Sequence, residues 1–388
     1  ILTILSYQIV SVAVGWQVYQ LTRDPLMLGL VGLAEVLPYF CVAPFAGYLV
    51  DHLPRRRLGM AACTGLALTA GMLAIVSIRY AGESTVWMIY GAVALAGTVR
   101  AFLGPVYNAL FGRVLARAQF ARGAGIGSIV FQSGLVIGPA IGGAMVGALG
   151  VPVTYAAAGV LGIGAALSVM SLRVTEPAPV LQREPIFASI GQGVRFVFGH
   201  QILLGALALD MFAVLFGGAI TLAPAFIEEV LHRGPEALGI LRGAPALGAV
   251  LVGIWLARRP IERHAGAILL AAVSGFGLCI IGFGLSKVFW LSAAFLLLSG
   301  MFDGISVVLR STILQLATPD EMRGRVSSIN GIFIGSSNEL GAFYSGAMAR
   351  LLTLVPSVVL GGFVTLGVVA VTAWKAPRLR KLDLRELR

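Results

Sequence analysis

Seven charged residues stand inside stretches that are otherwise apolar: Glu35, Arg100, Asp210, Arg242, Asp303, Arg310 and Glu339. Two kinds of chemistry are open to such groups. A carboxylate withdrawn from water holds its proton more tightly, so it can load and unload near neutral pH. An arginine does not deprotonate and acts as a fixed charge beside it. The four histidines (His52, His200, His232 and His264) all fall at the ends of apolar stretches, which leaves carboxylates as the ordinary proton carriers in between. Asp303 and Arg310 lie seven apart, on one face of a helix. The competing reading is a static Asp–Arg pair that only fixes packing. No paired His/Glu metal set, Ser-His arrangement or phosphate loop accompanies these charges. The run Gly123-Ala-Gly125-Ile-Gly127 lacks the lysine and strand context of a nucleotide loop. Cys41, Cys63 and Cys279 sit in apolar runs, so neither a disulfide framework nor a metal site is expected. Catalytic residues, enzyme activity and cofactors are accordingly not expected.

The elements that must hold these charges are membrane helices. The chain is 58% hydrophobic and only 12% charged, with a mean hydropathy of +0.93. Soluble domains carry about 25% charged residues, so lipid must be the solvent here. Apolar runs of about 17–25 residues read as spans. They fall at 1–21, 26–50, 59–79, 84–110, 122–148, 152–173, 200–226, 236–257, 265–286, 289–317, 326–352 and 355–375. The chain opens at Ile1, already apolar and without a basic stretch, so no signal peptide is read and the first helix is expected to be clipped. Each of the seven charges would cost roughly 2.5–3.5 kcal/mol on a lipid-facing helix centre. Together that is about 20 kcal/mol, more than a typical net folding stability, so they are expected to face a wet cavity or one another.

The remaining charge has a rhythm. Of 28 Lys and Arg, 20 follow the second, fourth, sixth, eighth, tenth and last spans, and the positive-inside rule then puts both termini in the cytoplasm. The net charge of +11 is therefore a membrane rim, and no nucleic-acid partner is expected. Trp87 and Trp290 mark outer ends, and Trp255 and Trp374 inner ones. The longest break opens Thr175-Glu176-Pro177-Ala178-Pro179. It continues with Phe187, Ile190, Val194 and Phe198 at helical spacing, as a short helix on the inner surface would. The expected organisation is a six-helix bundle over 1–174, a cytoplasmic linker with an interfacial helix over 175–199, a second bundle over 200–375 and a basic tail over 376–388. Gly47, Pro54 and Arg57 recur as Gly253, Pro260 and Arg263, at the same place in each half. Parallel six-helix halves are an architecture of secondary transporters.

Four motifs carry a resemblance. Gly47-Tyr48-Leu49-Val50-Asp51-His52-Leu53-Pro54-Arg55-Arg56 resembles the loop signature between helices two and three of the major facilitator superfamily, with His52 and Pro54 departing from it. Gly134-Leu-Val-Ile-Gly138-Pro139-Ala-Ile-Gly142-Gly143 is similar to the helix-five pattern of that family's drug and metabolite antiporters, and Arg100-Ala-Phe-Leu-Gly104 to their helix-four pattern. Thr318-Pro319-Asp320-Glu321-Met322-Arg323-Gly324-Arg325-Val326 resembles the branch containing enterobactin exporters.

The resemblance implies an all-α membrane protein of twelve helices in two bundles related by a pseudo-two-fold axis. It implies a proton-coupled exporter of a small organic molecule (siderophore, drug or metabolite) working by alternating access in the bacterial inner membrane. Partners are then the substrate, protons and the bilayer, and the chain is expected to act as a monomer. An uptake carrier or a lipid or lysophospholipid translocator is the alternative. Helices one, four, seven and ten line the cavity in the family, which places Arg100, Asp210 and Asp303 there. Asp210 or Asp303 is expected to carry the proton, with Arg100 as the charge that tunes it.

Gly47, Asp51, Arg55 and Arg56 form the expected gating loop, with Asp51 meeting Arg55, Arg56 or, as the resemblance implies, the start of helix eleven near Gly324–Ser327. Gly134, Gly138 and Gly142, four apart beside Pro139, form a small-residue stripe read as a hinge or seal, or as plain tight packing. Glu35 is expected beside Glu339, because helices two and eleven are neighbours in the family. Arg242 is expected to snorkel from the outer end of helix eight. Trp16, Gln17, Tyr107, Asn108, Phe212 and Phe216 are candidate substrate contacts, suited to a bulky, partly apolar molecule, although core packing is the competing role for each.

Overall fold

The computed structural model describes residues 1–79, 83–114, 120–172, 186–259, 261–319 and 322–387. Its order is α1 (Leu2–Thr22), α2 (Pro25–His52), α3 (Arg55–Arg79), α4 (Glu83–Val114), α5 (Phe120–Leu149), α6 (Val151–Met170), α7 (Ile186–Gly199), α8 (Gln201–Gly217), α9 (Ala223–Glu229), α10 (Pro235–Arg258), α11 (Ala265–Leu285), α12 (Phe289–Ala317), α13 (Arg323–Leu352), α14 (Leu354–Lys375) and α15 (Pro377–Arg380).

Local chemistry sets the ends. Arg23 turns left-handed (φ 52°) and its N–H returns to Tyr19 O, which closes α1. Asp24 then caps α2 by accepting from Leu26 N at 2.9 Å, with Pro25 in the first turn where its missing N–H is harmless. Gly150 adopts φ 79°, which only glycine takes without strain, and lets α6 start directly after α5.

Among the described residues, eleven helical spans are long and apolar enough to cross a membrane, counting α8 and α9 together as Gln201–Glu229. At about 1.5 Å per residue, the 21 residues of α1 or α11 match a hydrocarbon core of about 30 Å. The twelfth is α13, 30 residues long and broken in hydropathy by Ser337, Asn338 and Glu339. The seventh span is not the single helix its apolar run suggests. α8 stops at Gly217, a short 3₁₀ turn covers Ala219–Leu222, and α9 resumes before Pro224. Pro224 has no N–H to give the preceding turn, and the two glycines tolerate the break.

The chain divides into two compact units: Ile1–Arg183 with Ile227–Gly243, and Glu184–Phe226 with Ala244–Arg388. In the first, α3 packs on α6 and α4, α2 on α4, and α1 on α5 and α6. In the second, α11 packs on α12 and α14, and α8 on α13 and α14. Glycines permit the closest approaches. A Cβ on Gly97 would fall on the Glu35 carbonyl, and one on Gly300 on that of Pro245. Each therefore brings two helices together at backbone distance.

Candidate functional site

The second unit holds an acid centre. Asp210 of α8 and Arg310 of α12 form an ion pair, with side chains only 9% and 3% exposed. Nε of Arg310 has no hydrogen-bond acceptor among the described residues. Asp303 lies two turns earlier on α12 and shares a small cavity with Asp210, walled by Phe276, Phe302 and Ser306. Its volume is about 10 Å³, room for about one water. No hydrogen bond or ion pair to Asp303 is found among the described residues. Arg310 is thus engaged with Asp210, while Asp303 shares the cavity with Asp210. The fixed charge paired with Asp210 within this unit is Arg310.

The first unit holds a different centre. Arg100 of α4 donates to Glu35 Oε1 of α2 at 2.5 Å, and the Tyr7 hydroxyl of α1 donates to the same oxygen at 2.9 Å. Arg100 also donates to the Tyr7 hydroxyl, and its guanidinium lies 5.1 and 5.4 Å from the Tyr7 and Tyr39 ring centroids. Glu35 is therefore paired with Arg100 and Tyr7 within the first unit. The close packing of α2 on α4 at Gly97 brings a guanidinium within reach, and a carboxylate gains more there than beside a second carboxylate. A cavity of about 40 Å³ adjoins the cluster, edged by Ser6, Ser11 and Thr69, with room for roughly two or three waters.

A third set of contacts ties residues 227–243 to α1 and α5 within the first unit. The buried Tyr19 hydroxyl donates to Glu229, Gln20 Nε2 to Glu228 at 2.7 Å, and Arg23 pairs with Glu228. Arg242 does not snorkel. It donates to Ser11 O at 2.9 Å and Ser11 Oγ at 3.2 Å. Gly239 explains how it reaches: a Cβ there would stand 2.6 Å from Pro139 O, and one on Gly143 would stand 2.6 Å from Gly239 N. The glycines Gly134, Gly138 and Gly142 use the neighbouring face of α5 and pack on Ile4, Gln8 and Ile9 of α1. The stripe read from the sequence thus seats α1, and Gly143 beside it seats α10.

Gly47, Asp51 and the Gly324–Ser327 partner lie outside the residues whose side chains are described, apart from Val326. Arg55 Nε donates to Val50 O at 3.4 Å and Arg56 to Met170 O, so both cations sit at helix C-termini, where the helix dipole favours them. Gln17 is engaged inside the first unit. It is buried, donates to Ser77 Oγ at 2.8 Å and accepts from the Tyr155 hydroxyl at 2.9 Å. Trp16 is half-buried, Tyr107 and Asn108 are exposed, and Phe212 stacks on Phe216, which meets Tyr344 edge-on. Glu339 is half-buried on α13 beside exposed Asn338. The sequence reading missed Tyr7, Tyr39, Tyr19 and the Glu228-Glu229 pair. Tyrosines inside apolar runs and two adjacent acids closing a span were the available signals.

Residues 1–342 match the model of the Major Facilitator Superfamily. The chain belongs to this superfamily. Among its relatives is the multidrug efflux pump Tap of Mycolicibacterium fortuitum, 26% identical over 97% of this chain and 93% of that protein. The enterobactin exporter EntS of Citrobacter koseri is also 26% identical, over 93% of this chain and 86% of its own length. A bacterial homolog of the human lysosomal transporter Spinster, solved inward-facing and unoccupied, superposes with a TM-score of 0.74 at 14% identity, covering 98% of this chain and 93% of that one. The D-xylose-proton symporter gives 0.75 at 10% identity, covering 100% and 97%. The protein is a multi-pass membrane transporter with the superfamily's twelve-helix, two-bundle fold.

Proposed function

We propose that this transporter exports a small organic molecule from the bacterial cytoplasm and drives export with protons entering in exchange. Both termini then face the cytoplasm. The observation that carries the reading is Asp303, an acid in an apolar span with no partner among the described residues, one small cavity from a buried Asp210–Arg310 pair. Asp303 takes the proton, because Asp210 is already committed to Arg310. When Asp303 is ionised, it competes for Arg310, seven residues along the same helix. When it is protonated, Arg310 returns wholly to Asp210. Such a competition is a two-state element that a proton biases, which coupling requires.

Export over uptake is supported by the relatives, both named as exporters, and by the antiporter-like helix-five pattern. Glu35, Arg100, Tyr7 and Tyr39 form a second polar centre, with its charge neutralised and a cavity at one side. Tyr7 and Glu35 line that cavity, which suits contact with the polar part of a partly apolar substrate. Asp51, Arg55 and Arg56 are assigned to an inner gate. The test compares culture supernatants and cell extracts of a deletion strain with those of its parent. A compound retained inside the mutant identifies the exported substrate. A compound that only the parent takes up would reverse the direction.

A further inference from the structure

The chain after α14 is pinned to the second unit. Leu379, Leu382 and Leu384 are buried in the same core as Val197 of α7. A Cβ on Gly205 would stand 3.1 Å from Leu379 Cδ2, so that leucine rests on the first turns of α8. Gly266 N donates to Leu382 O at 3.2 Å, Leu384 N to Glu262 O at 3.1 Å, and Gln201 Nε2 to Lys375 O at 3.1 Å. The clip is thereby fixed to the starts of α8 and α11.

Buried leucines alternate with exposed cations along it. Lys375, Arg378, Arg380, Lys381 and Arg385 are exposed, as are Arg258, Arg259 and Arg263 in and just beyond the last turn of α10. The acids described among them are Glu262, which meets Arg385, and Asp383, which caps Arg385 N. Apolar groups are exposed at the same ends of the spans. Trp374 is 78% exposed, and on α7 Phe198 and Val194 are exposed around Arg195, while Val197 holds the helix to the core. Cations fixed where spans leave the membrane, beside exposed aromatic rings, match anionic headgroups above acyl chains.

We infer that this folded clip, with α7, forms a binding surface for anionic phospholipid headgroups. The surface requires the membrane fold but neither the proton coupling nor the orientation proposed above. The test places purified protein in nanodiscs of mixed phosphatidylcholine and phosphatidylglycerol and measures the lipids that remain bound after gentle extraction. The wild type is expected to retain phosphatidylglycerol above its bulk fraction, less so as ionic strength rises. Each neutralisation among Arg378→Gln, Arg380→Gln and Lys381→Gln should weaken retention about fivefold, the factor that about 1 kcal/mol per surface base implies. Lys287→Gln with Arg350→Gln, at the other ends of the spans, should leave retention unchanged. Leu379→Asp, which keeps every cation but unpins the clip, should abolish the preference. Equal retention in wild type and triple variant would overturn the inference. So would displacement by inorganic phosphate at matched ionic strength, since the site would then serve a free anion.

Discussion

Arg310 is the residue on which the second unit's polar chemistry turns. Asp210→Asn keeps the shape but leaves a buried guanidinium without its counter-charge, a change that costs about 3–5 kcal/mol in comparable sites. The expected result is a marked loss of thermal stability, largely restored when Arg310→Gln is added to remove the stranded charge. If the double variant is no more stable than the single one, Asp210 is not there to neutralise Arg310. Gln17→Leu is expected to destabilise by about 1–3 kcal/mol, because the buried Tyr155 hydroxyl loses its acceptor. It should leave the range of exported compounds unaltered. A changed substrate range in this variant would return Gln17 to the substrate path. The sequence made the membrane charges legible, since Glu35, Arg100, Asp210 and Asp303 each interrupt an apolar run. It did not make their pairing legible. Spans that are apolar on nearly every side carry little sign of which face turns inward, so the rotation that sets Arg100 on Glu35 and Arg310 on Asp210 is invisible in hydropathy.

Among the elements, close helix approach decides which side chains can meet. α10 touches α5 at backbone distance through Gly239, Gly143 and the Pro139 carbonyl, and this puts Arg242 on Ser11 of α1. Gly239→Leu places a side chain where backbone stands, so α10 must move off α5 and Arg242 off α1. The expected outcome is faster labelling of a cysteine at Val14, a buried α1 position, in a background with the three native cysteines replaced. Unchanged labelling would mean that this approach does not control access to α1. Gly97→Val should similarly part α2 from α4 and lose the Glu35–Arg100 bond, with a fall in transport larger than the fall in stability. Span positions were readable from the apolar runs to within a few residues. The break at Gly217–Gly218 was not, because glycines are abundant throughout this chain and few of them interrupt a helix. Nor was the folded clip after α14, whose three leucines are scattered among arginines.

For the whole molecule, transport and its coupling to protons can be measured separately. Orientation is one check: the Lys287→Cys protein should react with an impermeant thiol reagent in intact cells, and the Arg380→Cys protein only after the cells are opened. Coupling is the central one. Wild-type protein and Asp303→Asn are reconstituted into proteoliposomes, and transport of an exported compound is measured with and without an imposed pH gradient, alongside exchange of labelled for unlabelled compound at equal pH. The proposal predicts that the wild type concentrates the compound against its gradient only when a pH gradient is present. It predicts that Asp303→Asn still exchanges at near wild-type rate but no longer concentrates. An Asp303→Asn protein that concentrates the compound with unaltered pH dependence would contradict it.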